Sequence, residues 1–279
     1  MNEPLVSAII PVYNEAEVIA DCLASLRSQT YQPIEIIVVD DGSTDRTPKI
    51  LKKAKGIRLV RSKHRGPGAA RNKGAIKAHG DILVFVDADM TFDRRFIDRL
   101  TAPIREGKAI GSFSKEEFVA NRDNRWSKCW SINRGWEAGR MHPRNYPDEQ
   151  KVFRAIRKDK FLEVGGFNPK VGYTDDWTLS DKLGVMAVNA GGAIFYHRNP
   201  QTLSEAFIQA RWMAKRPYKL GPIGALVAFL RASLPVSLVI GIAKAIRHKS
   251  PSFVLFKVII DFATILGILS LVLRGSRAK

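Results

Sequence analysis

Ile82-Leu83-Val84-Phe85-Val86-Asp87-Ala88-Asp89 is the stretch on which the reading of this chain turns. Five apolar residues, mostly β-branched or aromatic, read as a strand buried on both faces. The two carboxylates that follow would then sit at the C-terminal edge of an open α/β sheet, where such folds bind their ligands. Asp87 and Asp89 are two residues apart, so both can face one divalent cation and the diphosphate it bridges. Hard oxygen donors suit Mg²⁺ or Mn²⁺, which keep water and substrate phosphate as further ligands. In isolation the same letters also describe an acidic turn, and the rest of the chain decides between the two.

Upstream, residues 5–12 read as a first buried strand that Pro11 ends, with Asn14-Glu15 leading into a helix near 15–28. Residues 34–39 form a second strand, running into Asp40-Asp41-Gly42-Ser43, and a short helix is expected near 45–54. A third strand covers 57–61, and Gly66-Pro67-Gly68 opens a helix to about Ala78. Strands alternating with helices imply right-handed crossovers and a largely parallel sheet. Downstream, helices are expected at 94–105, 125–140, 158–164, 177–183 and 202–216, with extended segments at 109–120, 152–156 and 185–196. Trp126 and Trp130 share one helical face, which suits core packing.

The chain has 279 residues and a net charge of +18. That length supports one large α/β domain or two smaller ones. From Arg211 onward there are twelve basic side chains and one acid, Asp261, a net +11. A basic, apolar tail points to an anionic membrane surface. No nucleic-acid-binding signature is visible, so no nucleic-acid partner is expected. Residues 223–242 and 253–273 are each about the ~20 residues a spanning helix needs. Arg231 and Pro235 interrupt the first; Lys257 and Asp261 lie four apart in the second and can pair. The tail is therefore expected to associate with a membrane, as a two-span hairpin or as re-entrant or interfacial helices. A hairpin would place the basic loop 244–249 outside, against the positive-inside tendency. Two cysteines, Cys22 and Cys129, suggest reduced thiols. No basic n-region precedes the first strand, so no signal peptide is expected.

Four segments converge at the strand ends: Pro11-Val12-Tyr13-Asn14-Glu15, Val39-Asp40-Asp41-Gly42-Ser43-Thr44, Gly68-Ala69-Ala70-Arg71-Asn72-Lys73-Gly74 and Asp87-Ala88-Asp89. Together they describe a nucleotide site. Tyr13 offers an aromatic face, Asp40 accepts from a base N–H, and Gly66, Gly68 and the helix start offer donors to phosphate. This set, in this order, resembles the family 2 glycosyltransferases of GT-A fold over roughly residues 4–218. The resemblance implies an α/β GT-A domain over 1–218, with membrane-associated helices over 219–279. It implies a nucleotide-sugar site at Pro11, Tyr13, Glu15, Asp40, Arg71 and Asp87, and a metal ligand at Asp89. Asp176 matches the general base, in a segment that is Asp175-Asp176-Trp177 here and commonly Glu-Asp before an aromatic residue. Asp175, Trp177, Arg211 and Trp212 fall at acceptor or diphosphate positions. Gln209-Ala210-Arg211-Trp212 is one residue shorter than the Gln-x-x-Arg-Trp of processive members, which argues against a polymer synthase. His197 reads as structural.

The function implied is an inverting, metal-dependent hexosyl transfer. The donor would be a UDP- or GDP-sugar, the metal Mg²⁺ or Mn²⁺. The acceptor would be membrane-linked, a polyprenyl phosphate or a lipid-linked saccharide, with the catalytic domain facing the cytoplasm. A nucleotidyltransferase, which would release pyrophosphate, and a non-catalytic nucleotide-sugar-binding protein are the alternatives.

Overall fold

The computed structural model describes residues 3–137, 139–216 and 218–274, without the side chains of 172–174 and 274. Arg277 and Lys279, counted above in the basic tail, lie outside the described residues, as do Met1 and Asn2 ahead of the first strand. The chain divides into two compact units. One comprises Met1–Phe118, Arg144–Pro169 and Thr174–His197; the other comprises Val119–Pro143, Lys170–Tyr173 and Arg198–Lys279.

The first unit begins with the alternation read from the sequence: β1 (Val6–Val12), α1 (Ile19–Arg27), β2 (Ile34–Asp40), α2 (Thr47–Lys53), β3 (Arg58–Arg61), α3 (Pro67–Lys77) and β4 (Ile82–Phe85). Next come β5 (Met90–Phe92), α4 (Phe96–Arg105), β6 (Gly111–Phe113) and β7 (Glu117–Val119), whose last residue starts the second unit. The second unit continues with α5 (Arg125–Arg134). The first unit then resumes with β8 (Glu149–Gln150), β9 (Ala155–Arg157), α6 (Lys158–Glu163), a 3₁₀ segment (Pro169–Trp177) of which Lys170–Tyr173 belong to the second unit, α7 (Thr178–Leu183), β10 (Ala187–Asn189) and β11 (Phe195–His197). The main sheet has the order β3-β2-β1-β4-β9-β6-β10-β8, and β5-β11-β7 form a small second sheet. The strands β3, β2, β1 and β4 are parallel, whereas β9 is antiparallel to both β4 and β6.

Alternation along the strands feeds two cores. Val6, Ala8, Ile10, Val38 and Val84 pack on one face with Leu23 and Leu26 of α1 and Leu100 of α4. Ile9, Ile37, Val39, Leu83 and Phe85 pack on the other with Ala70 and Ala75 of α3 and Phe161 of α6. Each such side chain contributes about 1.5–3 kcal/mol of transfer free energy when fully buried. A Cβ at Gly74 would overlap the Ile9 side chain, so glycine there lets α3 lie close on the sheet. The register Val12↔Asp40 and Ile9↔Phe85 brings the C-terminal ends of β1, β2 and β4 to one edge.

Several boundaries differ from the sequence reading. The first helix starts at Ile19, because Asn14, Glu15 and Ala16 instead hydrogen-bond through their N–H groups to Ser43, Thr47 and Asp45. The expected strand 185–196 is two short strands, β10 and β11, separated by a turn that contains Gly192 at φ +81°.

The second unit is helical: α5, then α8 (Leu203–Met213), α9 (Gly221–Arg231), α10 (Leu234–Arg247) and α11 (Ser252–Arg274). Its core gathers Cys129, Trp130, Ala206, Ala210, Phe253, Phe256 and Ile260. Trp126 stacks on Phe256 and Trp130 meets it edge-on, so this face of α5 is core. The apolar stretch 223–242 is not one helix. It breaks at Ala232-Ser233, with a bend of 63°. Ser233 is extended, and Pro235, which has no N–H to give, starts the new helix. Ser252–Leu273 is long and apolar enough to cross a membrane, and α9 with α10 pass the same test only if the bent pair is one span.

Candidate functional site

The edge defined by β1, β2 and β4 carries the predicted nucleotide residues. Pro11 and Val12 end β1, and Tyr13 follows, with its ring stacked on His64 at 4.0 Å between centroids. Asn14 takes a left-handed conformation (φ 57°), and its side-chain oxygen accepts the Thr44 N–H at 2.8 Å, which joins the first loop to the second. Glu15 follows on that loop, its N–H bonded to Thr47 Oγ1 at 2.9 Å. Asp40 is buried at the end of β2 and accepts the Ser43 N–H at 2.9 Å.

The start of α3 behaves differently from the expectation that Gly66 and Gly68 leave donors open for phosphate. Asp41 accepts the Gly66 N–H at 2.8 Å and the Arg65 N–H at 3.1 Å. A Cβ at Gly68 would overlap the Asp175 carboxylate. Among the donors predicted at this helix start, that of Gly66 is therefore committed inside the protein. The sequence reading passed over Asp41 because a buried carboxylate beside Asp40 looks like part of the same acidic turn.

Arg71 is the centre of the site. It is buried, and its guanidinium bonds Asp87 at 2.7 Å, reaches Asp175 at 3.5 Å and donates to Asp176. Residues from α3, the end of β4 and the 3₁₀ segment thus meet on one cation. Arg154 adds a second guanidinium, 3.2 Å from Asp87, because Phe85 N–H bonds Arg154 C=O where β4 meets the chain entering β9. Burial pushes the Asp87 carboxyl up, but Arg71 and then Arg154 outweigh it and hold it well below the usual carboxylate range. Burial and then the Asp176 carboxylate push Asp175 up to about 7. Asp176 keeps about a third of its side chain exposed (30%), and Trp177 beside it is exposed.

Asp89 begins the turn into β5. The antiparallel pairing His197↔Met90 sets His197 against it, with Nε2 3.2 Å from the carboxylate. The other ring nitrogen is 2.6 Å from Glu117. Burial opposes protonation of His197, but Asp89 and then Glu117 outweigh it and raise its pKa well above the ordinary value. His197, read from the sequence as structural, is thus in contact with the predicted metal ligand. A separation of 108 residues hid it; only its place in a strand that would pair with β5 could have exposed it. Among the described residues no group of three or more His, Cys, Asp or Glu could hold a metal by itself. The Asp89 carboxylate is a hard oxygen donor and fits Mg²⁺ or Mn²⁺ where substrate phosphate and water complete the shell.

Asn72 holds the neighbouring loop. Its side chain accepts the Phe167 N–H and donates to the Phe167 C=O, both at 2.9 Å. Arg211 and Trp212 lie on α8, in the second unit.

A mostly parallel α/β sheet with carboxylates and guanidiniums at one strand edge defines the nucleotide-diphosphosugar transferase class of fold. The family model described as Glycosyl transferase family 2 matches residues 7–165, more than half of the sequence, and the chain belongs to that family. Putative glycosyltransferase EpsH of Bacillus subtilis is 42% identical over 93 residues, covering 32% of this chain and 27% of EpsH. Glycosyltransferase AglE of Haloferax volcanii is 41% identical over 103 residues, 34% of each chain. The matched stretch thus spans about a quarter to a third of these relatives' own lengths. Among solved structures, the Pyrobaculum calidifontis mannosyltransferase PcManGT, in complex with GDP-Man and Mn²⁺, aligns with TM-score 0.58 at 21% identity, covering 95% of this chain and 88% of its own. S. aureus TarS 1–349 with UDP-GlcNAc aligns with TM-score 0.58 at 17% identity, covering 94% and 90%. These likenesses establish the GT-A fold.

Proposed function

We propose that the protein transfers a hexose from a UDP- or GDP-sugar to a membrane-linked acceptor, a polyprenyl phosphate or a lipid-linked saccharide, with inversion at the anomeric carbon. The observation that carries this reading is the Arg71 cluster, where one guanidinium joins the donor-side Asp87 to the acceptor-side Asp176. The metal and nucleotide sugar bound by the structural neighbour from Pyrobaculum calidifontis support the donor class.

Tyr13, backed by His64, offers a face to the base, and Asp40 a carboxylate for a base N–H. Pro11 and Glu15 shape the same strand edge. Asp89, with His197 beside it, would hold Mg²⁺ or Mn²⁺, which supplies charge neutralisation for the departing diphosphate. Arg71 and Arg154 keep Asp87 ionised. Asp176, oriented by Arg71 and partly open to solvent, takes the proton of an acceptor hydroxyl; a phosphate acceptor, already ionised, needs only to be positioned by it. Asp175, Trp177, Arg211 and Trp212 are assigned to acceptor or diphosphate contact. The basic, apolar tail supports a membrane location, with the catalytic unit on the cytoplasmic side where nucleotide sugars are made.

The test is nucleotide release from a panel of UDP-, GDP- and dTDP-sugars in native-like membranes, with Mg²⁺ or Mn²⁺ and with or without polyprenyl phosphate. Release should depend on metal and lipid. Asp89→Ala should lower it by at least the ~10²–10⁴-fold typical of losing a general base. Metal-independent release, or full activity in Asp89→Ala, would refute the reading; pyrophosphate as product would identify a nucleotidyltransferase.

A further inference from the structure

We infer that the C-terminal helices hold the protein on one leaflet of an anionic bilayer without crossing it. This builds on the membrane location proposed above but not on the transfer reaction.

By length alone α11 could cross: its 23 residues extend for about 34 Å, against a hydrocarbon core of about 30 Å. Its neighbours argue otherwise. At one end Ser250 lies 3.9 Å from Cys129 of α5, and Phe256 packs between Trp126 and Trp130. Towards the other end Gly267 lies so close to α8 that a Cβ there would overlap the Arg211 carbonyl oxygen. Phe256 and Gly267 are about 16 Å apart along the helix, so α5 and α8 clad about half of the length a span would need. The cladding helices are not apolar. Arg125, Lys128 and Arg134 of α5 and Ser204, Glu205 and Arg211 of α8 are exposed. A crossing α11 would carry these groups into hydrocarbon, where an ionised side chain is costly.

The large apolar side chains that α11 leaves exposed are Leu255, Phe262 and Leu269, at intervals of seven, and then Val272 and Leu273 in its last turn. Ile223, Leu226, Val227 and Leu230 are exposed along one face of α9, and Leu234, Val236, Leu238, Val239, Ile242 and Ile246 are exposed on α10. These helices are about 16 and 21 Å long, too short to cross singly. Exposed Arg231 sits at their break, Lys219 precedes α9, Arg247 ends α10 and Lys249 follows it. The acid of this tail, Asp261, is already held by Lys257 and Ser237. Exposed apolar faces bracketed by exposed basic residues fit helices lying in an anionic interface. An apolar surface of this extent marks an interaction site in a soluble protein.

Topology tests this directly. A single cysteine at Lys108→Cys, at His248→Cys or appended after Lys279 is probed with an impermeant maleimide in sealed vesicles of both orientations; Cys22 and Cys129 are buried. All three should label from one side only. Protection of His248→Cys alone would establish a two-span hairpin, and labelling of the appended cysteine from the opposite side would establish a spanning α11; either overturns the inference. The full chain should float with phosphatidylglycerol vesicles and more than tenfold less with phosphatidylcholine. A Leu226→Glu/Leu230→Glu/Ile242→Glu variant of unchanged circular dichroism should lose flotation. A soluble dimer that ignores both vesicles would mean that a second copy covers these faces, and would refute it. These readouts are independent of turnover, so failure of the sugar-transfer reading leaves them intact.

Discussion

The two units each bury an ion pair, and the pairs are built in opposite ways. Arg71 gathers Asp87, Asp175 and Asp176 from positions up to 105 residues away, and two of those carboxylates stay partly open to solvent. Lys257 meets Asp261 one helical turn away, at 2.5 and 2.6 Å, and Ser237 closes the remaining side at 2.5 Å. The first arrangement leaves carboxylate oxygens partly open to solvent, as a ligand site requires. The second satisfies its charges within two helices and serves packing. A buried charge signals chemistry here only when its partners come from different elements and remain accessible.

The sharpest way to break this contrast is Arg71→Ala. It leaves Asp175 and Asp176 without their guanidinium and Asp87 with Arg154 alone, so it should cost about 3–5 kcal/mol in urea denaturation and also abolish turnover. In the second unit Asp261→Ala should cost a similar amount, while Lys257→Met/Asp261→Leu should be neutral or stabilising by up to about 4 kcal/mol. Ser237 keeps the Ala232 carbonyl as a partner at 3.3 Å in that double variant. Turnover in detergent should not change. If the double variant lost turnover, the pair would not be merely structural.

A smaller effect concerns Asp175, pushed up to about 7. A carboxyl whose folded pKa exceeds its unfolded value of about 3.9 binds its proton more tightly in the native state. That contribution is complete below about pH 4 and is lost as pH climbs through about 7. Asp175→Asn should therefore raise the denaturation midpoint at pH 8 relative to the wild type and leave it nearly unchanged at pH 4. The smallest effect is protonic. His197 carries a raised pKa beside Asp89 and Glu117, so Mn²⁺ binding at Asp89 should release protons at pH 7, read by calorimetry in buffers of different ionisation enthalpy. His197→Gln should abolish that release.

Much of the first unit was legible from local signals. The buried run 82–86 with its carboxylates, the strand–helix alternation and the Arg71 segment each reflect chain neighbours, and the structure brings Tyr13, Asp40, Arg71 and Asp87 to one edge through parallel register. What stayed hidden is set by pairing between distant strands. Arg154 reaches Asp87 only because β9 runs antiparallel to β4, and His197 reaches Asp89 only because β11 pairs with β5. Asp41 was hidden for another reason: its role is to bind the Arg65 and Gly66 N–H groups, and composition does not tell such a carboxylate from a ligand-binding one. In the tail, Pro235 foretold the break, but hydropathy could not tell which faces α5 and α8 would cover.

Arg71 also shapes how this protein can change. Because one side chain answers to three carboxylates on two separate segments, a substitution at position 71 has no single-site suppressor among them. Reversal would need Asp87, Asp175 and Asp176 to be rewritten together, and each intermediate along that route would carry stranded charge. The site should therefore drift at its rim, at Tyr13 or Trp177, while its centre stays fixed.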